Sequence, residues 1–141
     1  MASCECYTIL YACVCYISHC GMTVGHRWID PESPGWPDRL AHLEQPPRGL
    51  WQLGAVGPTS PSVAIVGSRR ATFTGVEIAR AIAAELASAG IQVISGMALG
   101  VDGAAHTGAL DAGGSTVAVL GCGIDVCYPP RHRDLRHRII A

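Results

Sequence analysis

The chain contains no lysine: all ten of its basic residues are arginine, and against eleven acidic residues they leave a formal charge of −1. That balance excludes a uniformly basic nucleic-acid coat, so any anion recognition must be local and of the forked, bidentate guanidinium kind. Aromatic side chains are scarce at 6%, with a single phenylalanine. No apolar run reaches the ~18 residues of a membrane span, so no membrane partner is expected. A G-x-x-x-x-G-K-[ST] phosphate loop is impossible without lysine, and the dinucleotide fingerprint G-x-G-x-x-G is also missing. Gly67 is followed by Ser-Arg-Arg-Ala. Gly121-Cys122-Gly123 begins like the fingerprint but lacks its third glycine, and Pro129-Pro130 interrupts the helix that would receive a pyrophosphate. Neither NAD nor a phosphate-loop nucleotide is expected, and no cofactor is called for.

What is present describes one globular domain with appendages: 141 residues, 49% hydrophobic and 15% charged. Five of the seven cysteines (Cys4, Cys6, Cys13, Cys15, Cys20) fall in the first twenty residues. The only charge before Arg27 is Glu5, and the apolar stretch is broken by Cys, Ser, Thr and Tyr, unlike a secretory signal. The C-x-C pairs lack the C-x-x-C spacing of structural zinc sites, so residues 1–27 are expected to be a poorly ordered leader without a metal. Residues 28–61 hold seven of the nine prolines and all three tryptophans. Continuous helix or central strand is thereby excluded for most of the segment. It reads as a folded-back connector, with Trp28, Trp36, Leu40, Leu43, Leu50, Trp51 and Leu53 packing on a neighbour and one short helix at Asp38 to Leu43. Base stacking by the tryptophans, beside Arg39 and Arg48, is the less frequent use of such residues.

Residues 62–141 alternate strand and helix. Val63-Ala64-Ile65-Val66 is β-branched, uncharged and too short for a helix, and so predicts a parallel strand buried on both faces. Thr74-Gly75-Val76-Glu77 has the form of a capping box. It opens a helix with Val76, Ala79, Ile82, Ala83 and Leu86 on one face, closed by Gly90. A second strand, Ile91 to Ile94, leads to the turn Ser95-Gly96-Met97-Ala98-Leu99-Gly100. Asp102 is placed to cap a second helix that stops at Gly113-Gly114. Thr116 to Leu120 is the third strand, ending in Gly121-Cys122-Gly123, and the arginine-rich residues 131–141 form a third helix. This order predicts right-handed βαβ units in a Rossmann-like, three-layer α/β fold with a parallel sheet.

In such a sheet the ligand crevice lies outside the carboxyl ends of the strands, so the three glycine-rich turns share one rim. Its candidate anion-binding residues are Gly67, Ser68, Arg69 and Arg70 on the first turn, Ser95, Gly96 and Gly100 on the second, and Gly121 and Gly123 on the third. A hydroxyl, backbone N–H groups and guanidinium groups are what a phosphate oxygen requires. Arg69 is the first choice for a phosphate contact; Arg70 could be a solvated charge. Asp102 and His106, four apart on one helical face, suit a cap and an internal hydrogen bond better than a catalytic pair, since no nucleophile accompanies them. Arg131, Arg133, Arg136 and Arg138 against Asp134 make a patch of formal charge +3, ordinarily a solvated helix face. Cys122 and Cys127 are expected to be reduced thiols.

The motifs Val63-Ala-Ile-Val-Gly-Ser-Arg, Ser95-Gly-Met-Ala-Leu-Gly-Val-Asp102 with Ala105-His106, and Thr116-Val-Ala-Val-Leu-Gly-Cys-Gly-Ile-Asp125 with Tyr128-Pro129 resemble, in order and spacing, the DNA-processing protein A family, also called Smf. Trp36-Pro37-Asp38-Arg39-Leu40 and Leu50-Trp51-Gln52-Leu53-Gly54 are similar to its lead-in, so the resemblance covers residues 36–141. It implies a cytoplasmic, non-enzymatic protein that binds and protects single-stranded DNA during natural transformation and loads the RecA recombinase, with the first and second turns gripping the DNA backbone. It also implies that the family's domain continues past the position of Ala141, so this chain is expected to be a truncated N-terminal part of it. The resemblance also implies self-association, a homodimer, for the full-length family. The alternative is an enzyme of the nucleoside monophosphate phosphoribohydrolase type, or a small-nucleotide sensor. The Pro-Gly-Gly-x-Gly-Thr motif of those enzymes is absent here, since Gly113-Gly114 lacks the proline and the following acid.

Overall fold

The computed structural model describes residues 25–54 and 61–141. The cysteine-rich segment read as a leader lies outside the described residues except for its last three. Two of those, His26 and Arg27, open the strand β1 (His26–Ile29), which pairs antiparallel with β2 (Leu50–Leu53) in the register His26 to Leu53 and Ile29 to Leu50. Between them Asp38–His42 forms a 3₁₀ turn, the short helix expected there. The connector therefore contains a hairpin. Five of its prolines, Pro31, Pro34, Pro37, Pro46 and Pro47, sit in the intervening loop, where no ladder hydrogen bond is needed.

The second sheet is parallel, in the order β3 (Ser62–Ala64), β4 (Gln92–Ser95), β5 (Thr116–Ala118). Helices α1 (Phe73–Ser88) and α2 (Val101–Asp111) supply the crossovers, and α3 (Arg133–Ile140) follows β5. Gly90 and Gly113, at φ 76° and 74°, close the first two helices as the sequence predicts. The cap of α1 is Thr72, not Thr74: its hydroxyl accepts from Gly75 N at 3.1 Å, so the helix begins one residue before the predicted box.

Helices α1 and α2 lie together on one face of the sheet, where Ala83, Ala87, Val93, Ala105 and Ala109 form a core cluster. The buried face of α1 is the alanine row Ala79, Ala83, Ala87, while Ile82, expected on it, is half exposed. Small residues win because the helix backbones approach closely: a Cβ on Gly108 would collide with the Arg80 carbonyl. Asp111 then joins three helices, taking Arg80 of α1 on one carboxylate oxygen and Arg138 of α3 at 2.6 Å on the other. The hairpin contributes Ile29 and Leu50 to a cluster with Val117, and Leu53 to one with Met97, Ala118, Leu120 and Ile139.

Two expectations are corrected. β3 is not buried on both faces: among the described residues it is an edge strand, with Val63 39% exposed, and Val66 just beyond it is 72% exposed. Among the described residues it pairs with β4 alone, which leaves its other edge open. Arg136 is not part of a solvated patch. It is buried, with its guanidinium donating to the Ile124 carbonyl, so α3 turns Arg136 and Ile139 inward and leaves Arg131 and Arg133 exposed.

Candidate functional site

The carboxyl ends of β3, β4 and β5 lie on one rim because the strands are parallel, and the three glycine-rich turns follow them. At a strand spacing of about 4.8 Å, the first and third turns are roughly 10 Å apart with the second between them. The first two are locked together. Val101 N donates to Ser68 O at 3.2 Å, and the Ser95 hydroxyl donates to Ile65 O at 2.6 Å. Gly100, at φ 79°, lies against the Ser68 and Arg69 backbone, where any Cβ would collide with Ser68 O. Gly67 packs on Val101, with 2.9 Å between a Cβ at Gly67 and Val101 Cγ2. Glycine at 100 is thus required twice, by its left-handed conformation and by the close approach.

The second turn has its own brace. Met97 is fully buried at φ 58°, a conformation costing a non-glycine residue roughly 1–2 kcal/mol. The Asp102 carboxylate accepts from Gly96 N at 3.2 Å and Ala98 N at 3.4 Å, holding the turn from within the first turn of α2. Asp102 therefore clamps the rim turn; the cap position of α2 belongs to Gly100. His132, 35 residues from Met97, donates Nδ1–H to the Met97 carbonyl at 2.9 Å and lays its ring against Gly103. No spacing in the sequence signals that contact.

His106 is fully buried beneath the rim. Thr116 Oγ1 donates to Val93 O at 2.7 Å, so the imidazole must donate from Nδ1 to that oxygen, also at 2.7 Å. Nε2 is the bare nitrogen and has no hydrogen-bond partner among the described residues. Burial, then repulsion from His132, lowers its pKa from 6.5 to about 3, with the Ser95 backbone acting weakly the other way. The residue is neutral and structural at physiological pH.

Ligand access separates the nine candidate residues. Gly67, Ser68, Arg69 and Arg70 are all exposed, and Arg70 N donates to Ser68 Oγ at 3.1 Å, curling the turn so that two guanidinium groups leave it side by side in sequence. Among the described residues neither guanidinium has a hydrogen bond or ion pair, in contrast to Arg27, Arg80, Arg136 and Arg138. Ser95 is withdrawn from ligand: it is 2% exposed and its hydroxyl is committed to Ile65. Gly100 supports the first turn, and Gly96 is held against the Asp102 carboxylate. Gly121 and Gly123 are exposed on the third turn, and Gly121 has open space around it, so nothing in its packing demands glycine. No group of three or more His, Cys, Asp or Glu side chains suited to a metal occurs among the described residues.

Comparison with known proteins points one way. The family model described as DNA recombination-mediator protein A matches residues 27–141. The chain is 37% identical over 120 residues to protein Smf of Synechocystis, covering 82% of this chain and 30% of that one. It is 41% identical over 132 residues to a Mycobacterium tuberculosis protein named for DNA processing, DprA, covering 84% and 34%. The crystal structure of DNA processing protein A from Streptococcus pneumoniae superposes with a TM-score of 0.71 at 31% identity, over 80% of this chain and 40% of that one. The Helicobacter pylori protein, whose structure addresses its mode of single-stranded DNA binding, gives 0.64 at 29% identity, over 80% and 52%. The chain spans about a third of the length of the curated relatives it matches.

Proposed function

The chain belongs to the DNA recombination-mediator protein A family, and from that premise we propose that it binds single-stranded DNA through the exposed turn Gly67-Ser68-Arg69-Arg70. The observation that carries this reading is the pair of unpartnered guanidinium groups beside an exposed hydroxyl, fixed at the carboxyl end of β3 by the Gly100 contact. In a chain of net charge −1, Arg27, Arg80, Arg136 and Arg138 are bound to the protein's own acceptors. Of the arginines without such a partner among the described residues, Arg69 and Arg70 are the two that lie on the strand-end turn beside the Ser68 hydroxyl. Phosphates of a flexible strand fit that chemistry, since bidentate guanidinium contacts position a backbone without reading its bases.

The protein acts as a binding module and not as an enzyme. Support comes from Asp102 and His106, the one acid and histidine the sequence sets four apart on a helix: both are buried and engaged, with Gly96 and Ala98 N and with Thr116 respectively. The finer reading, supported by the recombination-mediator description of the family, is that the strand is protected and passed to the RecA recombinase during natural transformation in the cytoplasm, with self-association as part of the full-length assembly. The test is fluorescence anisotropy with an unstructured oligo(dT) and a duplex of equal length across a salt series. Saturable binding that favours the single strand, with log K falling linearly in log salt, is expected. Binding that does not respond to salt would contradict a phosphate site, and released base from a nucleoside monophosphate would replace the module by an enzyme.

A further inference from the structure

The three tryptophans of the connector do not share a role. Trp36 packs where the sequence expects it, partly buried against the Ile29, Leu50 and Val117 cluster. Trp28 is 44% exposed, and Trp51 beside it is half-buried. They face each other across the hairpin in an edge-to-face pair, with centroids 5.3 Å apart and planes at 66°. His26 extends the row, 5.4 Å from Trp51 at the same angle. In such a pair one ring gives an edge to the other's face, so neither partner covers both faces of the other.

The row is held firmly. Trp28 lies across Gly49, where a Cβ would collide with its ring, and the strands beneath are anchored by the buried Ile29, Leu50 and Leu53. Its surroundings tolerate an anionic ligand. Arg27, exposed, alternates with His26 and Trp28 along β1 and leaves the strand on the other face, where its Nε donates to Gln52 Oε1 at 3.0 Å. The nearest acid in sequence, Asp30, is turned into its own loop on the Ser33 hydroxyl at 2.6 Å and Glu32 N at 3.2 Å. One core cluster links the row to the rim: His26 pairs with Leu53, which shares that cluster with Met97 of the second turn.

We propose that the outward face of the β1–β2 hairpin, Trp28 and Trp51 with His26 at the rim-side end, stacks unpaired bases of the single strand whose phosphates the first turn holds. The inference rests on the reading of that turn as a DNA site and adds a second contact of different chemistry. Every base has a π-face, so the contact is tolerant of sequence, and being non-ionic it leaves the salt dependence to the arginines.

An oligonucleotide of abasic sites separates the two contacts, because it keeps the phosphates and lacks the bases. The parent protein is expected to bind oligo(dT) roughly five- to a hundredfold more tightly than the abasic strand. Trp28→Ala should lose most of that preference with an unchanged salt slope, and Trp28→Phe should retain most of it. A second measurement leaves the row itself unaltered: in Trp36→Phe protein that keeps the parent's circular dichroism, oligo(dT) should quench the remaining tryptophan emission and shield it from acrylamide, and the abasic strand should do neither. Equal affinity for the two strands, or emission indifferent to oligo(dT), would overturn the stacking proposal while leaving the rim site intact. Absence of binding to either strand would overturn both.

Discussion

Replacing Arg69 with alanine removes one guanidinium that has no partner among the described residues, on a turn whose backbone is held by Gly100 and Val101. The fold should therefore survive the change with its circular dichroism intact. If Arg69 neutralises one phosphate of a single strand, its loss should flatten the slope of log K against log salt by roughly 0.7. A hydrogen bond to a charged group is worth about 1.5–3 kcal/mol, and because Arg69 is solvent-exposed the lower end applies, which is about tenfold in affinity. Arg80→Ala is the informative control. It also deletes an arginine, but one whose charge Asp111 already offsets, with both side chains partly exposed. Breaking that pair should cost less than about 1 kcal/mol of stability and leave the salt slope unchanged. Anisotropy titrations of the three proteins on one oligonucleotide at four or five salt concentrations give both quantities. Equal losses for the two variants, or an unaltered slope for Arg69→Ala, would refute the assignment of this turn to a phosphate.

Gly108→Ala should lower the melting temperature by several degrees, at a cost of about 1–3 kcal/mol, because its methyl group meets the Arg80 carbonyl and wedges α1 from α2; thermal denaturation checks it. His106 should make stability fall with acid: its folded pKa of about 3 lies below the unfolded value near 6.5, so its contribution is complete above pH 6.5 and is lost progressively towards pH 3. The loss at pH 5.5 is about 1.4 kcal/mol, and His106→Gln should abolish this slope in urea titrations between pH 7 and 5, above the range in which Asp111, held low by Arg138 and Arg80, begins to titrate. Arg136→Ala should destabilise by about 2–3 kcal/mol by stripping the Ile124 carbonyl of its charged donor. Cys122, whose thiol burial pushes up against a weaker opposing pull from Arg136, should be alkylated slowly at pH 7, and mass spectrometry should find it and Cys127 unlinked.

The parts of this fold that were legible in the sequence are those decided within a few residues. Gly90 and Gly113 close helices through their own backbone freedom, and the run Val63 to Val66 announces a strand whatever surrounds it. Parallel pairing followed from the alternation of such runs with helices, and it placed the glycine-rich turns on a common rim. Partnership across long separations was not legible. Nothing local distinguishes Arg136, buried on the Ile124 carbonyl, from the exposed Arg133 three residues earlier, or Ser95, tied to Ile65 thirty residues away, from a serine that greets a ligand. The hairpin was hidden for the same reason: β1 and β2 are separated by a proline-rich loop, and their register is set by burial of Ile29 and Leu50 against a sheet formed later in the chain. Asp102 was recognised as a capping residue, but which N–H groups it caps depends on the fold of the turn before it.

The central claim, that the turn after β3 receives the DNA strand, is tested most directly by titrating ¹⁵N-labelled protein with oligo(dT) and following individual amide resonances. Ser68, Arg69 and Arg70 are expected to shift earliest and furthest, Gly100 and Val101 to follow because their backbone touches the same turn, and Glu85 to Ser88 at the far end of α1 to stay still. Shifts that leave residues 67–70 unmoved while saturating elsewhere would contradict it.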